Sequence, residues 1–284
     1  MGSGLVLGAA LSVQFGSAVA ALLFPRAGAA GVVTLRLTIA AIVLLLVCRP
    51  RLRGHRRDDW LAVAGLGAAM AGMNTLFYQA IDRIPLGPAV TLEVLGPLTL
   101  SVLTARRAVS WLWAALALAG VMLLGYQGFD RLNLAGAGFA LAAGLMWAAY
   151  IVFSARTGRR FPKADGLALA MAVSAVLTLP LGVVDAGAAL LDPVVLGLGA
   201  VVATMSSVVP YTFELLALRR IPTSTFAVLM SLGPAVAVLA GFAVLDQRLT
   251  PLELLAVALV IVASAGAVHG AAGPAPARTI PVTA

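Results

Sequence analysis

The sequence predicts an all-α membrane protein in which ten transmembrane helices form two inverted five-helix repeats. The composition, the recurrence of apolar runs and a duplicated motif lead to this fold class. Of the 284 residues, 62% are hydrophobic and 11% are charged, whereas a soluble domain is about 45–50% apolar and about 25% charged. A chain this apolar cannot cover a globule with polar surface, so we expect the lipid bilayer to be its solvent.

Ten apolar runs are each long enough to cross a hydrocarbon core of about 30 Å. We interpret the first run as a helix of the mature protein, because it lacks the basic leading region of a secretory signal peptide and further apolar runs follow it. The predicted spans are 4–23, 30–48, 60–80, 85–104, 109–126, 134–154, 165–184, 194–217, 222–244 and 251–269.

Lysine and arginine residues are distributed unevenly among the connections. Of the 19, 14 follow even-numbered spans or lie in the C-terminal tail, four follow odd-numbered spans, and Arg36 lies inside span two. Since basic residues concentrate in cytoplasmic loops, we expect a multi-pass protein with both termini in the cytoplasm. The net charge of +8 is spread over these loops, so it predicts membrane orientation and not nucleic-acid binding.

An internal duplication relates the two halves. Arg-Ile-Pro occurs at 83–85 and 220–222, and Leu-Gly-Pro occurs at 95–97 and 232–234, both with an offset of 137 residues. This offset maps span three onto span eight and span four onto span nine, a shift of five spans. Because five is an odd number, the two halves enter the membrane from opposite sides, as in many secondary transporters. We predict repeats at 1–130 and 131–270, helix kinks at Pro97 and Pro234, and a disordered cytoplasmic tail at 271–284.

Glu93 is an ionisable residue near the middle of span four. It lies about 12 Å from the outer end of the span, at about 1.5 Å per residue. Ionisable groups at this depth usually face the bundle interior and mark a path for ions or substrate. The alternative is a structural carboxylate that fixes helix packing, for example with Arg36. The repeat counterpart of Glu93 is Met230, and this asymmetry favours a site that binds a polar solute.

Arg36, in span two, has two possible placements. Its long side chain reaches the outer interface by snorkelling, or it faces a cavity and meets Glu93 or a substrate carboxylate. The residues alone leave both placements open.

Two polar stripes lie on spans three and eight, which are repeat equivalents. Residues three, four or seven positions apart share a helix face, so these stripes predict a hydrated cavity; interhelical hydrogen bonding is the alternative. Glu214 lies near a helix end, where an interfacial role is equally open. The stripes contain Asn74, Tyr78 and Gln79, and Ser207, Tyr211 and Glu214; weaker lining candidates are Gln14, Trp147 and Tyr150.

Other polar residues have local explanations or carry no site. Thr250 and Glu253 have the spacing of a capping box. The single lysine, Lys163, is not part of a phosphate-binding loop, and His55 and His269 suggest no metal cluster or Ser/His dyad. We therefore expect no cofactor, no metal and no enzymatic activity, and any energy for transport must come from a gradient.

Three segments carry a family resemblance over nearly the whole chain. Leu35-Arg36 and the two Leu-Gly-Pro elements resemble the drug/metabolite transporter superfamily, EamA type. The segments quoted below also resemble the bacterial threonine/homoserine exporters of that family. The segments are GMNTLFYQ at 72–79, RIPLGPAVTLEVLGP at 83–97 and VPYTFELLALRRIPTSTF at 209–226.

The resemblance implies an exporter of the inner (plasma) membrane with a central cavity, driven by the proton gradient, in which spans five and ten are peripheral. The expected small-molecule substrate is a zwitterionic amino acid, with protons as the coupling ion. Glu93 would be the coupling or amine-binding carboxylate and Arg36 a carboxylate partner. Export of another metabolite or a drug, a passive channel and an intramembrane enzyme are the alternatives, and a homo-oligomer remains open.

Overall fold

The computed structural model describes residues 2–105, 108–126, 133–162, 164–218, 220 and 229–271. Within these residues the chain is helical and contains no strand, which confirms the predicted all-α class. A 3₁₀ turn at Gly187–Leu191 and a π turn at Thr204–Val208 interrupt the α-helices. The helices are α1 Gly2–Ala21, α2 Phe24–Cys48, α3 Arg57–Ile81, α4 Leu86–Glu93, α5 Leu95–Ala105, α6 Ala108–Tyr126, α7 Leu134–Gly158, α8 Asp165–Ala186, α9 Pro193–Ala203, α10 Val209–Leu218, α11 Gly233–Leu245 and α12 Pro251–Ala271.

Five of the described helices, α1, α2, α3, α7 and α8, are long and apolar enough to cross a membrane. Shorter apolar helical segments occupy the positions of the other predicted spans. Part of predicted span nine, 221–228, and the predicted tail beyond residue 271 lie outside the described residues. The shorter segments are Leu86–Leu100, Trp111–Leu124, Pro193–Val208, Gly233–Leu245 and Pro251–Ala267.

The closest helix pairs join the first half of the chain to the second. α2 packs on α8, α3 on α7, α6 on α12, and α4 on α11. α1 packs on α9, α10 and α11, and α7 packs on α3, α4 and α5 in the same way. Small residues allow these approaches: Cβ atoms at Gly31 and Gly67 would lie within 3 Å of atoms of α8.

The start of α2 differs from the predicted start of span two at residue 30. The helix begins at Phe24 and is interrupted at Gly28, whose φ of 62° is in the left-handed region. After the interruption, the Ala30 N–H donates a hydrogen bond of 2.9 Å to Asp185 Oδ2 on α8. A neighbouring helix thus supplies an acceptor that the first helical turn lacks.

Two helices are interrupted at equivalent places of the duplicated motif. α4 ends at Glu93 and α5 begins at Leu95, and a turn at 231–232 precedes α11. Pro97 and Pro234 therefore lie in the first turn after each interruption, where a missing N–H removes no intrahelical hydrogen bond.

The first interruption is held against α7 by two glycines. A Cβ at Gly96 would overlap backbone atoms of Gly144, and a Cβ at Gly144 would meet the backbone carbonyl of Glu93. Because backbone atoms cannot move aside as a flexible side chain can, glycine is required at both positions. This contact fixes the backbone of Glu93.

α4 and α11 are joined at the end of the bundle that contains residues 82–85, which we call the loop-82 end. The Leu86 N–H, in the first turn of α4, donates a hydrogen bond of 2.9 Å to Gln247 Oε1. The Gln247 N–H donates to the Gly241 carbonyl at 3.0 Å. The opposite end of the bundle contains residues 49–56, and we call it the loop-49 end.

The predicted capping box before α12 is confirmed, since Thr250 N–H donates to Glu253 Oε2 at 2.7 Å and Glu253 N–H to Thr250 Oγ1 at 3.3 Å.

Candidate functional site

A cavity of about 460 Å³ lies between the helices of both halves. Its volume is in the range of sites that bind small molecules. The cavity extends toward the loop-49 end, because its lining includes Glu214 near the C-terminal end of α10 and Ser264 and Ala267 near the C-terminal end of α12. Among the residues predicted from the sequence, the cavity is lined by Gln14, Arg36, Asn74, Glu93, Pro97, Trp147, Tyr150 and Glu214.

The Arg36 side chain is buried, with 7% of its surface exposed, and its guanidinium is bonded inside the bundle. Nη1 donates to the Tyr78 hydroxyl at 3.1 Å, Nη2 to the Ser206 carbonyl at 2.9 Å and Nε to Ser207 Oγ at 3.3 Å. These contacts hold the guanidinium at the cavity wall, and the side chain does not reach the helix ends. Of the two placements left open by the sequence, the structure has the interior one.

The Ser206 carbonyl is able to accept from Arg36 because irregular backbone geometry leaves it without a donor from its own helix. Pro210 has no N–H, so the Ser206 carbonyl, four residues earlier, lacks its usual helical donor. In the preceding π turn the Val209 N–H donates to the Thr204 carbonyl, which leaves the Met205 carbonyl for Ser12 Oγ at 2.6 Å. Side chains from two other helices therefore satisfy backbone groups that the π turn and the proline leave open.

Two residues predicted to line the cavity instead lie behind Arg36. Tyr78 is fully buried, its ring is 5.6 Å from the ring of Phe24, and its hydroxyl accepts from Arg36. Ser207, 1% exposed, also accepts from the guanidinium. Both residues orient Arg36 and are not part of the cavity wall.

Gln79 is separated from the site, whereas Asn74 lines it. The side-chain oxygen of Gln79 accepts from Arg83 Nη1 at 2.7 Å near the loop-82 end. The Asn74 amide donates to the Met70 carbonyl of its own helix at 2.8 Å. The predicted stripe on α3 thus divides into one lining residue, one residue that positions Arg36, and one residue at the helix end.

Glu93 is the last residue of α4 and is 9% exposed. It lines the same cavity as Arg36, but the two side chains form no ion pair. The three ion pairs between described residues lie at helix ends or in loops. The interpretation of Glu93 as a direct structural partner of Arg36 is therefore not supported by this geometry.

In the second half, Glu214 lines the cavity from α10, and the described lining thus contains two carboxylates. Pro234 does not line it, but its neighbours Met230, Ser231 and Gly233 do. The side chain of Tyr211 lies outside the described part of the chain.

Three buried polar atoms at the cavity have no hydrogen-bond partner among the described residues: Gln14 Oε1, Ser206 Oγ and Ser264 Oγ. The sequence patterns did not predict Ser206 and Ser264 as lining residues. The proline four residues after Ser206 was an available signal. Ser264 lies in α12, in the otherwise apolar run of span ten. The resemblance implied that span ten is peripheral, but Ser264 and Ala267 of this helix line the cavity.

The described residues contain no group of three or more His, Cys, Asp or Glu side chains that would hold a metal ion. The arrangement instead offers a fixed guanidinium, two carboxylates and several hydroxyl and amide groups in one enclosed space. Such a set of groups is suited to binding a small polar molecule.

The family model and three proteins similar in sequence to this chain carry transporter or exporter names. The model of the EamA-like transporter family matches residues 134–268. The threonine/homoserine exporter RhtA of Escherichia coli (strain K12) is 39% identical over 264 residues, covering 92% of this chain and 89% of the relative. RhtA of Salmonella typhimurium (strain LT2) is 39% identical over 257 residues, covering 90% and 87%.

More distant relatives are consistent with the same fold. The uncharacterized transporter YwfM of Bacillus subtilis (strain 168) is 28% identical over 236 residues, covering 80% of this chain and 79% of that protein. A solved crystal structure superimposes with a TM-score of 0.58 at 21% identity, covering 94% of this chain and 98% of that chain. At that identity the likeness concerns the fold alone.

Proposed function

Because this chain belongs to the EamA-like transporter family, we propose that it is a secondary active transporter that exports a small amino acid of the threonine/homoserine type by proton antiport. The named relatives are transporters rather than enzymes. The exporters of two bacterial species match over most of their length, and their substrates are the basis for the substrate proposed here.

The observation that carries the proposal is that the Arg36 guanidinium keeps two N–H donors that its described contacts do not use. A guanidinium has five N–H donors, and the described contacts of Arg36 use three of them. The remaining donors, on the two terminal nitrogens of a side chain that lines the cavity, match the two oxygens of an amino-acid carboxylate. Arg36 is thus the carboxylate-binding group of the proposed site.

Glu93 is the proposed counterpart for the substrate amine and the coupling proton. It lies in the cavity without an ion pair to Arg36, so an ammonium group or a proton is free to neutralise it in turn. Exchange of these two cations on one carboxylate couples amino-acid export to proton entry. Asn74, Gln14 and Glu214 complete the polar wall.

Alternating access is supported by the packing of the halves. The contacts of α1 with α9–α11 repeat those of α7 with α3–α5, and the interruptions at 94 and 231–232 are 137 residues apart. We therefore retain ten spans in two inverted repeats at 1–130 and 131–270, with both termini cytoplasmic by the distribution of basic residues. In this orientation the cavity extends toward the cytoplasm, and the bond between Leu86 and Gln247 closes the outer end.

The test is transport of L-threonine in proteoliposomes with and without a proton gradient. Glu93→Gln keeps the size of the side chain but cannot carry the proton, so we expect stimulation by the gradient to be lost. Threonine/threonine exchange should persist with a weaker affinity, because the amine loses its carboxylate partner. Glu214→Gln, at the other cavity carboxylate, is the matched control and should keep the stimulation. A Glu93→Gln protein that still concentrates threonine against its gradient contradicts the coupling role.

A further inference from the structure

Ser264 is a polar residue on an otherwise apolar helix. The preceding and following residues of α12 are aliphatic or small, from Leu254 to Val268. The side chain is 6% exposed, it lines the cavity, and its Oγ has no hydrogen-bond partner among the described residues. A buried hydroxyl without a partner is unfavourable, and at the cavity wall a bound ligand is able to supply the missing partner.

Two buried threonine hydroxyls in these helices are satisfied by their own backbone. Thr91 Oγ1 donates to the Gly87 carbonyl at 2.8 Å, and Thr178 Oγ1 donates to the Ser174 carbonyl at 3.0 Å. This bond to the carbonyl four residues earlier is the usual solution for a serine or threonine within a helix. Ser264 does not form it, so the described residues leave its donor and acceptor capacity unused at the cavity wall.

The position of α12 determines which part of a substrate Ser264 would meet. α12 packs on α4, α5, α6 and α11, whereas α2, which carries Arg36, packs on α1, α3, α8 and α9. Arg36 and Ser264 therefore belong to different walls of the cavity. An amino acid whose carboxylate is bound at Arg36 directs its side chain away from that wall.

We propose that Ser264 is a specificity-determining residue that hydrogen-bonds a hydroxyl group on the substrate side chain. This inference rests on the proposed export of a small amino acid. The hydroxyl of Ser264 gains its missing partner when such a substrate binds. An isosteric aliphatic side chain would leave it unpaired, so the site favours hydroxylated over aliphatic amino acids of the same size.

Threonine and valine are the appropriate pair of probes, because valine replaces the threonine hydroxyl with a methyl group. We would measure how strongly unlabelled L-threonine and L-valine compete with labelled L-threonine in proteoliposome exchange. One neutral hydrogen bond contributes about 0.5–1.5 kcal/mol, which corresponds to about 2- to 10-fold in affinity. Ser264→Ala should reduce the preference for threonine over valine by about this factor.

Ser174→Ala is the matched control. Ser174 Oγ is also buried and unpartnered among the described residues, but Ser174 does not line the cavity. We expect this variant to keep the wild-type preference. Ser264→Thr retains the hydroxyl and should keep it as well. Because Ser264→Ala removes a polar group that is already unpaired, its thermal midpoint without substrate should equal or exceed that of the wild type.

Two results would overturn the inference, and they are distinguishable. If the wild type prefers threonine and Ser264→Ala keeps the same preference, Ser264 does not read the side chain, while export itself stands. The same conclusion follows if Ser174→Ala loses as much preference as Ser264→Ala. If the wild-type protein exchanges no amino acid, the proposed substrate class is wrong and the role of Ser264 is refuted with it.

Discussion

The two halves of the chain contribute different kinds of irregularity to the cavity. The first half supplies two buried charged groups, Arg36 and Glu93, on helices that hold them tightly. The second half supplies the π turn of 204–208 and an interruption with looser packing among the described residues. Of these, the nearest heavy atom to a Cβ at Gly233 would be Gln14 Nε2 at 3.9 Å, whereas a Cβ at Gly96 would overlap backbone atoms. The motif of the first half thus fixes the backbone of Glu93 through close glycine contacts, whereas its equivalent in the second half packs less tightly against the described residues.

The guanidinium of Arg36 joins the halves, and Arg36→Lys should have the largest effect. A lysine ammonium lacks the planar fork of the guanidinium and cannot keep all three contacts. Each hydrogen bond from a charged group contributes about 1.5–3 kcal/mol, so the free energy of unfolding should fall by at least this amount. The measurement is the thermal midpoint of the purified protein.

Arg83→Lys is the control for Arg36→Lys. Arg83 lies near the loop-82 end, is about one-third exposed and contacts Gln79 and Asp82, so its replacement should shift the midpoint little. Equal shifts in the two variants would contradict the bridging role of Arg36.

Gly96 and Gly233 provide the second test of the difference between the two halves. Gly96→Ala forces a methyl group into the backbone of α7, and overpacking of this kind costs about 1–3 kcal/mol. Gly233→Ala makes the same change in the equivalent motif, where there is room, and should be near neutral. Thermal midpoints and the amount of protein in the membrane should distinguish them. If both variants behave alike, the interruptions do not differ in tightness.

The bond between Leu86 and Gln247 gives the smallest expected effect. Gln247→Ala removes the acceptor of the Leu86 amide, a neutral bond that contributes about 0.5–1.5 kcal/mol. Hydrogen exchange at the start of α4 should accelerate by about 2- to 10-fold. Arg248→Ala, next to it in a highly exposed ion pair with Asp246, should leave this exchange unchanged. An unchanged rate in Gln247→Ala would exclude this bond as a closure of the loop-82 end.

Much of this architecture is predictable from the sequence, because lipid allows few backbone solutions. The apolar runs predicted the helices, and the cost of a charge among aliphatic residues indicated that Glu93 faces the interior. The placement of Arg36 could not be predicted, because its long side chain could also have reached the interface. The assignment of polar stripes was less successful. It assumed 3.6 residues per turn throughout span eight, and that period does not hold across the π turn, so Ser206 lines the cavity in place of Ser207. Ser264 escaped notice because a single serine produces no periodic signal.

The π turn also has a consequence for insertions and deletions in this part of the chain. A π turn is a local widening of an α-helix, and each residue of a helix turns the chain by about 100°. In such a turn the chain uses five residues where a regular helix uses four, so deleting one residue within 204–208 would restore a regular helix and leave the residues after it on their present faces. Deleting one residue between 209 and 213, in the regular part of α10, would instead rotate Glu214, which now lines the cavity, by about 100°, so the same change in length has different effects in these two adjacent segments.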